Sequence, residues 1–271
     1  MPNALPIAVL GAAGRMGLAT VRRIDQTSDM TLASALVREQ SDAYGNDIGP
    51  LAGLKPTGVV AGDTLGEAKV LIDFSSGPVL SHWLPQCVER GIAVVSGTTA
   101  LSAEHEAALD RAGGSIPVLW SANLSLGVAL LNRLCRQAAS MLGQATDIEI
   151  VEAHHRYKKD SPSGTAIALA SSMATARGQD PKTTVNRSRE GEHAVRSDGE
   201  IGIAAIRGGQ VVGDHTVHFA MDGERLELAH RAGSRDAFVD GALRAARWIT
   251  SQAPGRYSLD DVLEPEEKLQ E

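Results

Sequence analysis

Pro6-Ile7-Ala8-Val9-Leu10-Gly11-Ala12-Ala13-Gly14-Arg15-Met16-Gly17 decides the fold of the first half of this chain. A short apolar run of β character enters a glycine-rich turn, and a helical run to about residue 26 follows. Strand, glycine loop and helix in this order are the setting of a dinucleotide fingerprint. The spacing is G-x-x-G-x-x-G, with the middle glycine one place later than in G-x-G-x-x-G. The physics is shared: glycine permits the tight turn and lets a pyrophosphate approach the backbone at a helix N-terminus.

The next strand, residues 30–36, carries the reading outward. A dinucleotide-binding unit usually closes this strand with an acid for the ribose hydroxyls, ~20 residues past the glycines. Val37 stands there instead, with Arg38 next. Valine cannot bind a hydroxyl, whereas arginine pairs with a 2′-phosphate. NADPH is therefore expected in preference to NADH; the competing reading has Glu39 turning in to serve NADH. Residues 40–58 read as loop. Strands at 70–74, 92–96 and 116–120 then alternate with helices, and each closes on small polar residues: Ser75-Ser76-Gly77, Gly97-Thr98-Thr99 and Ser121-Ala122-Asn123-Leu124-Ser125. This α/β alternation predicts a Rossmann-type doubly wound parallel sheet. Ligands of such sheets lie beyond the carboxyl ends of the strands, so these turns and the glycine loop are expected to line one crevice.

The second half reads differently. Residues 126–142 predict a long helix with Leu130, Leu131, Leu134, Ala138 and Met141 on its apolar face, and the domain crossover falls near its start. Residues 147–152 alternate as a half-buried strand and deliver Glu152-Ala153-His154-His155-Arg156-Tyr157-Lys158-Lys159-Asp160-Ser161-Pro162-Ser163-Gly164-Thr165-Ala166. Two histidines, an arginine and two lysines in six residues stand out in a chain of net charge −7. Neighbours on an extended chain point to opposite faces, and no second cluster has ligand spacing, so no metal is expected. An anion site fits better. Gly164 and Thr165 sit where a helix starts, and its N–H groups together with the basic side chains suit a small, doubly charged anion. An extended backbone would set His154, Arg156 and Lys158 on one face.

Residues 179–199 read as a polar surface excursion. Strands at 201–207, 211–220 and 225–230 follow, with Gly208-Gly209 and Asp222-Gly223 as hairpin turns. They predict a second, α+β domain on an open mixed sheet. A helix from Asp236 to about residue 249 is expected to return to the first domain, and the acidic tail from Glu264 to fray. The division predicted is 1–125 plus 236–271 for a dinucleotide-binding domain and 126–235 for a substrate-binding and oligomerisation domain.

Composition sets the outer bounds. A chain of 271 residues has room for two modest domains. With aromatics at 3%, the core must be built from Val, Ile, Leu and Ala. A pI near 5.6 argues against a nucleic-acid binder. Cys87 and Cys135 make no disulfide framework. The N-terminus lacks a basic n-region, and no run approaches the ~18 apolar residues of a membrane span. A cytoplasmic protein is expected.

Taken together, the stretches Gly11–Gly17, Asp73–Ser75, Gly97–Thr99, Ser121–Leu124, Glu152–Arg156, Lys158, Ser161–Thr165, Arg207 and Gly213–His215 resemble the dihydrodipicolinate reductase family, from about residue 7 to 262. The resemblance implies reduction of a cyclic dicarboxylate, 4-hydroxy-tetrahydrodipicolinate, to tetrahydrodipicolinate by NADPH or NADH in lysine and diaminopimelate biosynthesis. It makes His154 the catalytic histidine and Lys158 a proton-donating lysine. It assigns His155, Gly164 and Thr165 to the substrate. It assigns Gly11, Ala12, Ala13, Gly14, Arg15, Met16, Arg38, Gly97, Thr98, Thr99, Ser121, Ala122, Asn123 and Leu124 to the cofactor. It also implies a homotetramer assembled through the second domain. Another two-domain NADP-dependent dehydrogenase of an anionic amino-acid precursor, or a non-catalytic NADPH sensor, would share the glycine loop. Neither has reason to carry His154-His155-Arg156 with Lys158 and Gly164-Thr165.

Overall fold

The computed structural model describes residues 4–191 and 194–263; the tail expected to fray from Glu264 lies outside them. The chain forms two compact units, residues 1–126 with 236–271 and residues 127–235.

In chain order the first unit runs β1 (Leu5–Leu10), α1 (Arg15–Asp25), β2 (Met30–Leu36), a short α2 (Ile48–Leu51), β3 (Ala61–Gly62), β4 (Val70–Asp73), α3 (Gly77–Arg90), β5 (Ala93–Ser96), α4 (Ala103–Gly113) and β6 (Pro117–Trp120). The second holds α5 (Leu126–Leu142), β7 (Asp147–His154), α6 (Gly164–Ala176), a short α7 (Pro181–Thr184), β8 (Val185–Asn186), β9 (Ile201–Arg207), β10 (Asp214–Ala220) and β11 (Arg225–Arg231). The chain then rejoins the first unit through α8 (Asp236–Ile249) and β12 (Gly255–Tyr257).

The first unit is a seven-stranded sheet in the order β12-β6-β5-β4-β1-β2-β3, and every adjacent pair is parallel. Its central strands are apolar runs buried at every position in β4 and β5, as a sheet covered by helices on both faces requires. Aliphatic residues fill that core, with Ile7, Val9, Leu71, Ile72, Val94 and Leu119 wholly buried. Strand order reverses between β1 and β4, and such a switch point opens a crevice at the carboxyl ends. α3 stops at Gly91, whose φ of 64° is the left-handed cap that glycine supplies. α8 packs against β5 and β6 of this unit, as expected. The short α2 falls in the stretch read as loop, and β3 and β12 lie in stretches to which the sequence assigned no element. They are two to four residues long, too short to leave a periodic signal.

The second unit is a five-stranded mixed sheet, β11-β10-β7-β9-β8. Here one expectation fails. Residues 201–207 and 211–220 were read as consecutive arms of a hairpin across Gly208-Gly209, yet β9 and β10 are not neighbours. β7 lies between them, parallel to β9 and antiparallel to β10. Gly208-Gly209 belongs to a wider connection that passes over the end of β7, with Gly208 N–H donating to His154 O and Arg156 N–H to Gly209 O. The β10–β11 hairpin across Asp222-Gly223 forms as expected. α5 also differs in its buried face: Val128, Leu131, Cys135 and Ala139 turn inward, while Leu130, Leu134 and Met141 are exposed. The core of this unit packs Leu131, Cys135 and Ala139 of α5 and Leu169, Ala170 and Met173 of α6 with Ile148, Ile150, Val217 and Phe219 of the sheet.

Candidate functional site

In the first unit the glycine loop is shaped by contacts that exclude side chains. Gly11 has φ +77°, and a Cβ there would stand 3.0 Å from Phe74 O. A Cβ on Gly17 would collide with Gly11 O and lie 2.6 Å from Ala12 Cα, so only glycine lets α1 settle on the loop. Gly14 caps α1 without a side-chain acceptor, and no acid occupies the first turn. The positive end of the helix dipole is thus left uncompensated by protein side chains, as an anion-binding helix start requires. A cavity of about 870 Å³ opens there, lined by Gly11, Ala13, Gly14, Val37, Arg38 and Ser75 among others. The glycine loop and the end of β2 therefore share one recess, at the strand-order reversal. Arg15 is exposed beside it, Met16 is half-buried and Ala12 is buried.

The other residues predicted for the cofactor gather on the far side of β4, outside that recess. Gly97 and Thr98 follow β5, and a Cβ on Gly97 would press on the Phe74 ring at 2.8 Å and on Leu124 Cδ1 at 2.9 Å. Trp120 Nε1 donates to Thr98 O at 2.8 Å. Ser121 Oγ donates to Asn123 O, and Asn123 Oδ1 accepts from Ser125 N–H. Thr99 and Ala122 are exposed, and Leu124 is buried.

Asp73 went unassigned in the sequence and organises these turns. It is fully buried. One oxygen accepts Ser75 N–H at 2.9 Å and Ser75 Oγ at 2.5 Å. The other accepts Ser96 Oγ at 2.6 Å and Thr98 Oγ1 at 2.7 Å. Burial raises its pKa above the ordinary carboxylate value, and these donors only partly oppose the rise. The available signal was a single acid at the end of an otherwise apolar strand.

In the second unit the alternation of β7 buries Ile148, Ile150, Glu152 and His154 on one face. That of β10 buries Phe219, Val217 and His215. The face packed on α6 therefore changes from apolar to ionisable where α6 begins. Glu152 is wholly buried. Arg207 grips it at 2.8 and 2.7 Å, His154 Nδ1 lies 2.6 Å from Oε2, and Ser163 N–H donates to Oε1 at 3.0 Å. Burial works to raise the Glu152 carboxyl, but Arg207, His154 and the Ser163 N–H outweigh it and hold the pKa below its usual value. Ser163 caps α6, its Oγ accepting Ala166 N–H at 3.1 Å and lying 3.1 Å from His215 Nε2. Burial, followed by the charge on His154, pushes His215 down to about 4.

The predicted residues fall out as follows. His154 is buried, and Gly164 and Thr165 open α6 where a helix start was expected. His155 is half-buried beside the Tyr157 ring. The shared face expected of His154, Arg156 and Lys158 is absent. β7 ends at His154, and the chain turns so that Lys158 N–H donates to His155 O at 3.1 Å. Lys158 Nζ pairs with Asp160 at 2.9 Å, and Arg156 is exposed. The strand ends there because its neighbours end too: β9 closes at Arg207, opposite His154. Glu152, Arg207, Ser163 and His215 had no assigned role. The period-two pattern of Ile148, Ile150, Glu152 and His154 was the signal that placed Glu152 on the buried face.

Among the described residues no helix is long and apolar enough to cross a membrane, and no three His, Cys, Asp or Glu residues converge as a metal site.

Two family models cover nearly the whole chain: "Dihydrodipicolinate reductase, N-terminus" matches residues 5–124, and "Dihydrodipicolinate reductase, C-terminus" residues 127–263. The 4-hydroxy-tetrahydrodipicolinate reductase of Pseudomonas fluorescens is 46% identical over 263 residues, spanning 95% of this chain and 98% of the relative. That of Pseudoalteromonas atlantica is 43% identical over 261 residues, with the same coverage. Among solved structures, a dipicolinate-bound dihydrodipicolinate reductase from Paenisporosarcina sp. TG-14 shares the fold, with a TM-score of 0.76 at 20% identity, over 96% of this chain and 100% of that one.

Proposed function

The chain belongs to the dihydrodipicolinate reductase family, and from that premise we propose how its own residues divide the work. The reaction is reduction of 4-hydroxy-tetrahydrodipicolinate to tetrahydrodipicolinate, with loss of water from the hydroxylated ring, in lysine and diaminopimelate biosynthesis. The nicotinamide cofactor supplies the hydride when bound.

The first unit, as the dinucleotide-binding domain, holds that cofactor. The start of α1, capped by no side chain and carrying no acid in its first turn, and the 870 Å³ recess beside it fit a pyrophosphate and an adenosine. Gly11, Ala12, Ala13, Gly14, Arg15 and Met16 form the phosphate loop. Gly97, Thr98, Thr99, Ser121, Ala122, Asn123 and Leu124 shape the remainder of the site. Val37 and Arg38 line the recess where ribose hydroxyls or a 2′-phosphate would lie, so NADPH is preferred and NADH is the poorer donor.

The second unit is the substrate domain. Gly164 and Thr165, at the positive end of α6, take one carboxylate with His155. Hydride addition to a conjugated ring leaves an electron pair that a positioned donor must protonate, and His154 and Lys158 supply and take up protons. The observation that carries this reading is the buried His154, held at 2.6 Å from Glu152 beside the capped start of α6.

For the homotetramer, support lies in the sheet face opposite Glu152, where Val151, Ala204 and Ile206 align and Ile206 is exposed. Sedimentation of the purified chain tests it; a monomer would refute it. The function is tested by following NADPH oxidation when the synthase product is supplied. Absence of turnover with either cofactor would refute it.

A further inference from the structure

We propose that Glu152 is the positioning residue of the proton-transfer site: one buried carboxylate, clamped by Arg207, sets both the tautomer of His154 and the seat of the α6 N-terminus. The inference rests on the proton role proposed for His154 and deepens it.

The argument is one of acceptors and donors. A carboxylate offers about four lone-pair positions, and four groups meet Glu152. Oε2 receives Arg207 Nη1 at 2.8 Å and faces His154 Nδ1 at 2.6 Å. Oε1 receives Arg207 Nη2 at 2.7 Å and Ser163 N–H at 3.0 Å. A guanidinium and a backbone N–H can only donate, and against the effect of burial the Arg207 guanidinium and these donors hold the carboxyl below its usual pKa, so the carboxylate is ionised and accepts everywhere. The fourth partner, His154 Nδ1, must then carry a hydrogen. A neutral imidazole with hydrogen on Nδ1 has its lone pair on Nε2. Nε2 is thus the single atom through which His154 exchanges a proton. Space at that atom comes from Gly213, where a Cβ would stand 3.1 Å from Nε2.

The same carboxylate reaches the anion-binding turn. By holding Ser163 N–H, its Oε1 fixes the residue whose Oγ caps α6, and the next N–H in the chain is that of Gly164. Arg207 extends the clamp, donating also to Asp160 O at 2.7 Å, in the turn that carries Lys158. Its planar fork spans both Glu152 oxygens at once, which a lysine cannot do. A structural ion pair needs only Arg207. Here each oxygen also carries a functional element.

Three variants and one spectrum test this. In the wild-type protein, long-range ¹H–¹⁵N correlation should place the proton of neutral His154 on Nδ1. In Glu152→Gln, whose amide cannot accept from four donors, it should move to Nε2 or divide between the two. Turnover of Glu152→Gln should fall at least ~10-fold, with NADPH affinity within about 2-fold of wild type, because the cofactor is assigned to other residues. In the His154→Ala background, adding Glu152→Gln should lower kcat by a much smaller factor than it does in the wild type, while still weakening the binding of dipicolinate, the dicarboxylate probe. A wild-type proton on Nε2 overturns the proposal and needs no variant to fold. So does an equal fall in kcat with or without His154, which would mean that Glu152 does not act through that ring. Full turnover by His154→Ala alone would instead refute the proton role of His154, while the spectrum would still decide whether Glu152 sets its tautomer.

Discussion

Substituting His215 by glutamine should change how the stability of this protein depends on pH. His215 is buried against the Ser163 cap, and its pKa is pushed down to about 4 by burial and then by the charge on His154. In the unfolded chain it returns to ~6.5. Between those values the unfolded state binds more protons than the native one, so stability rises with pH and is lost on acidification. From pH 7 to pH 5 the ring must stay neutral across ~1.5 units of its unfolded titration, at about 1.4 kcal/mol per unit. The native state therefore loses about 2 kcal/mol to this one residue. Glutamine keeps an acceptor for the Ser163 hydroxyl and does not titrate. Urea unfolding of both proteins at pH 7 and pH 5 measures the difference. Wild type should lose about 2 kcal/mol more than His215→Gln over that interval, a midpoint shift of roughly 1 M. Parallel losses in the two proteins, or an NMR titration of His215 near 6.5 in the folded state, would refute the reasoning.

Other consequences can be checked in the same preparations. Lys158→Ala should lower kcat more than it weakens NADPH binding, because Lys158 sits in the turn after β7 and pairs with Asp160; unchanged turnover would remove its assigned role. Arg38→Ala should raise KM for NADPH about 10-fold, with little effect on NADH, the loss expected when a charge-assisted contact to a phosphate is removed; equal effects on both cofactors would count against a 2′-phosphate contact. Gly17→Ala places a methyl against Gly11 O and Ala12 and should cost about 1–3 kcal/mol in unfolding free energy, with weakened cofactor binding; wild-type melting would show that the loop can give way.

Much of the site could be read from the chain because it is built from local signals. The turn from β1 into α1 needs a positive φ at Gly11 and close approach of Gly17 to Gly11 O and Ala12, reasons that hold within a dozen residues; the contact of Gly11 with Phe74 is tertiary. Gly164 and Thr165 mark a helix start from the small-residue turn before them. The partners of His154 could not be read this way. Arg207 is 55 positions from Glu152, and His215 is 52 from Ser163. They meet because β7 enters the sheet between β9 and β10, with Arg207 opposite His154 and His215 opposite Glu152. The misread hairpin at Gly208-Gly209 hid that register. The turn at Arg156 and Tyr157 separates residues that an extended strand would have aligned, and Asp73 looked like an isolated acid until β5 brought Ser96 and Thr98 to it.

By itself, then, the sequence determined the order of the longer helices and strands, the parallel first sheet, the glycine loop with Val37-Arg38 beside it, and the placing of His154 and the α6 start in one segment. These follow from periodicity and from the backbone freedom of single residues, which act over one or two turns of chain. Only the tertiary structure decided which strands are neighbours, and so which carboxylate holds which histidine. Strand pairing joins residues far apart in the chain. No local preference distinguishes β7 from β10 as the neighbour of β9; the pairing of β7 with both does so, and it carries Glu152, His154 and His215 to the same end of the sheet.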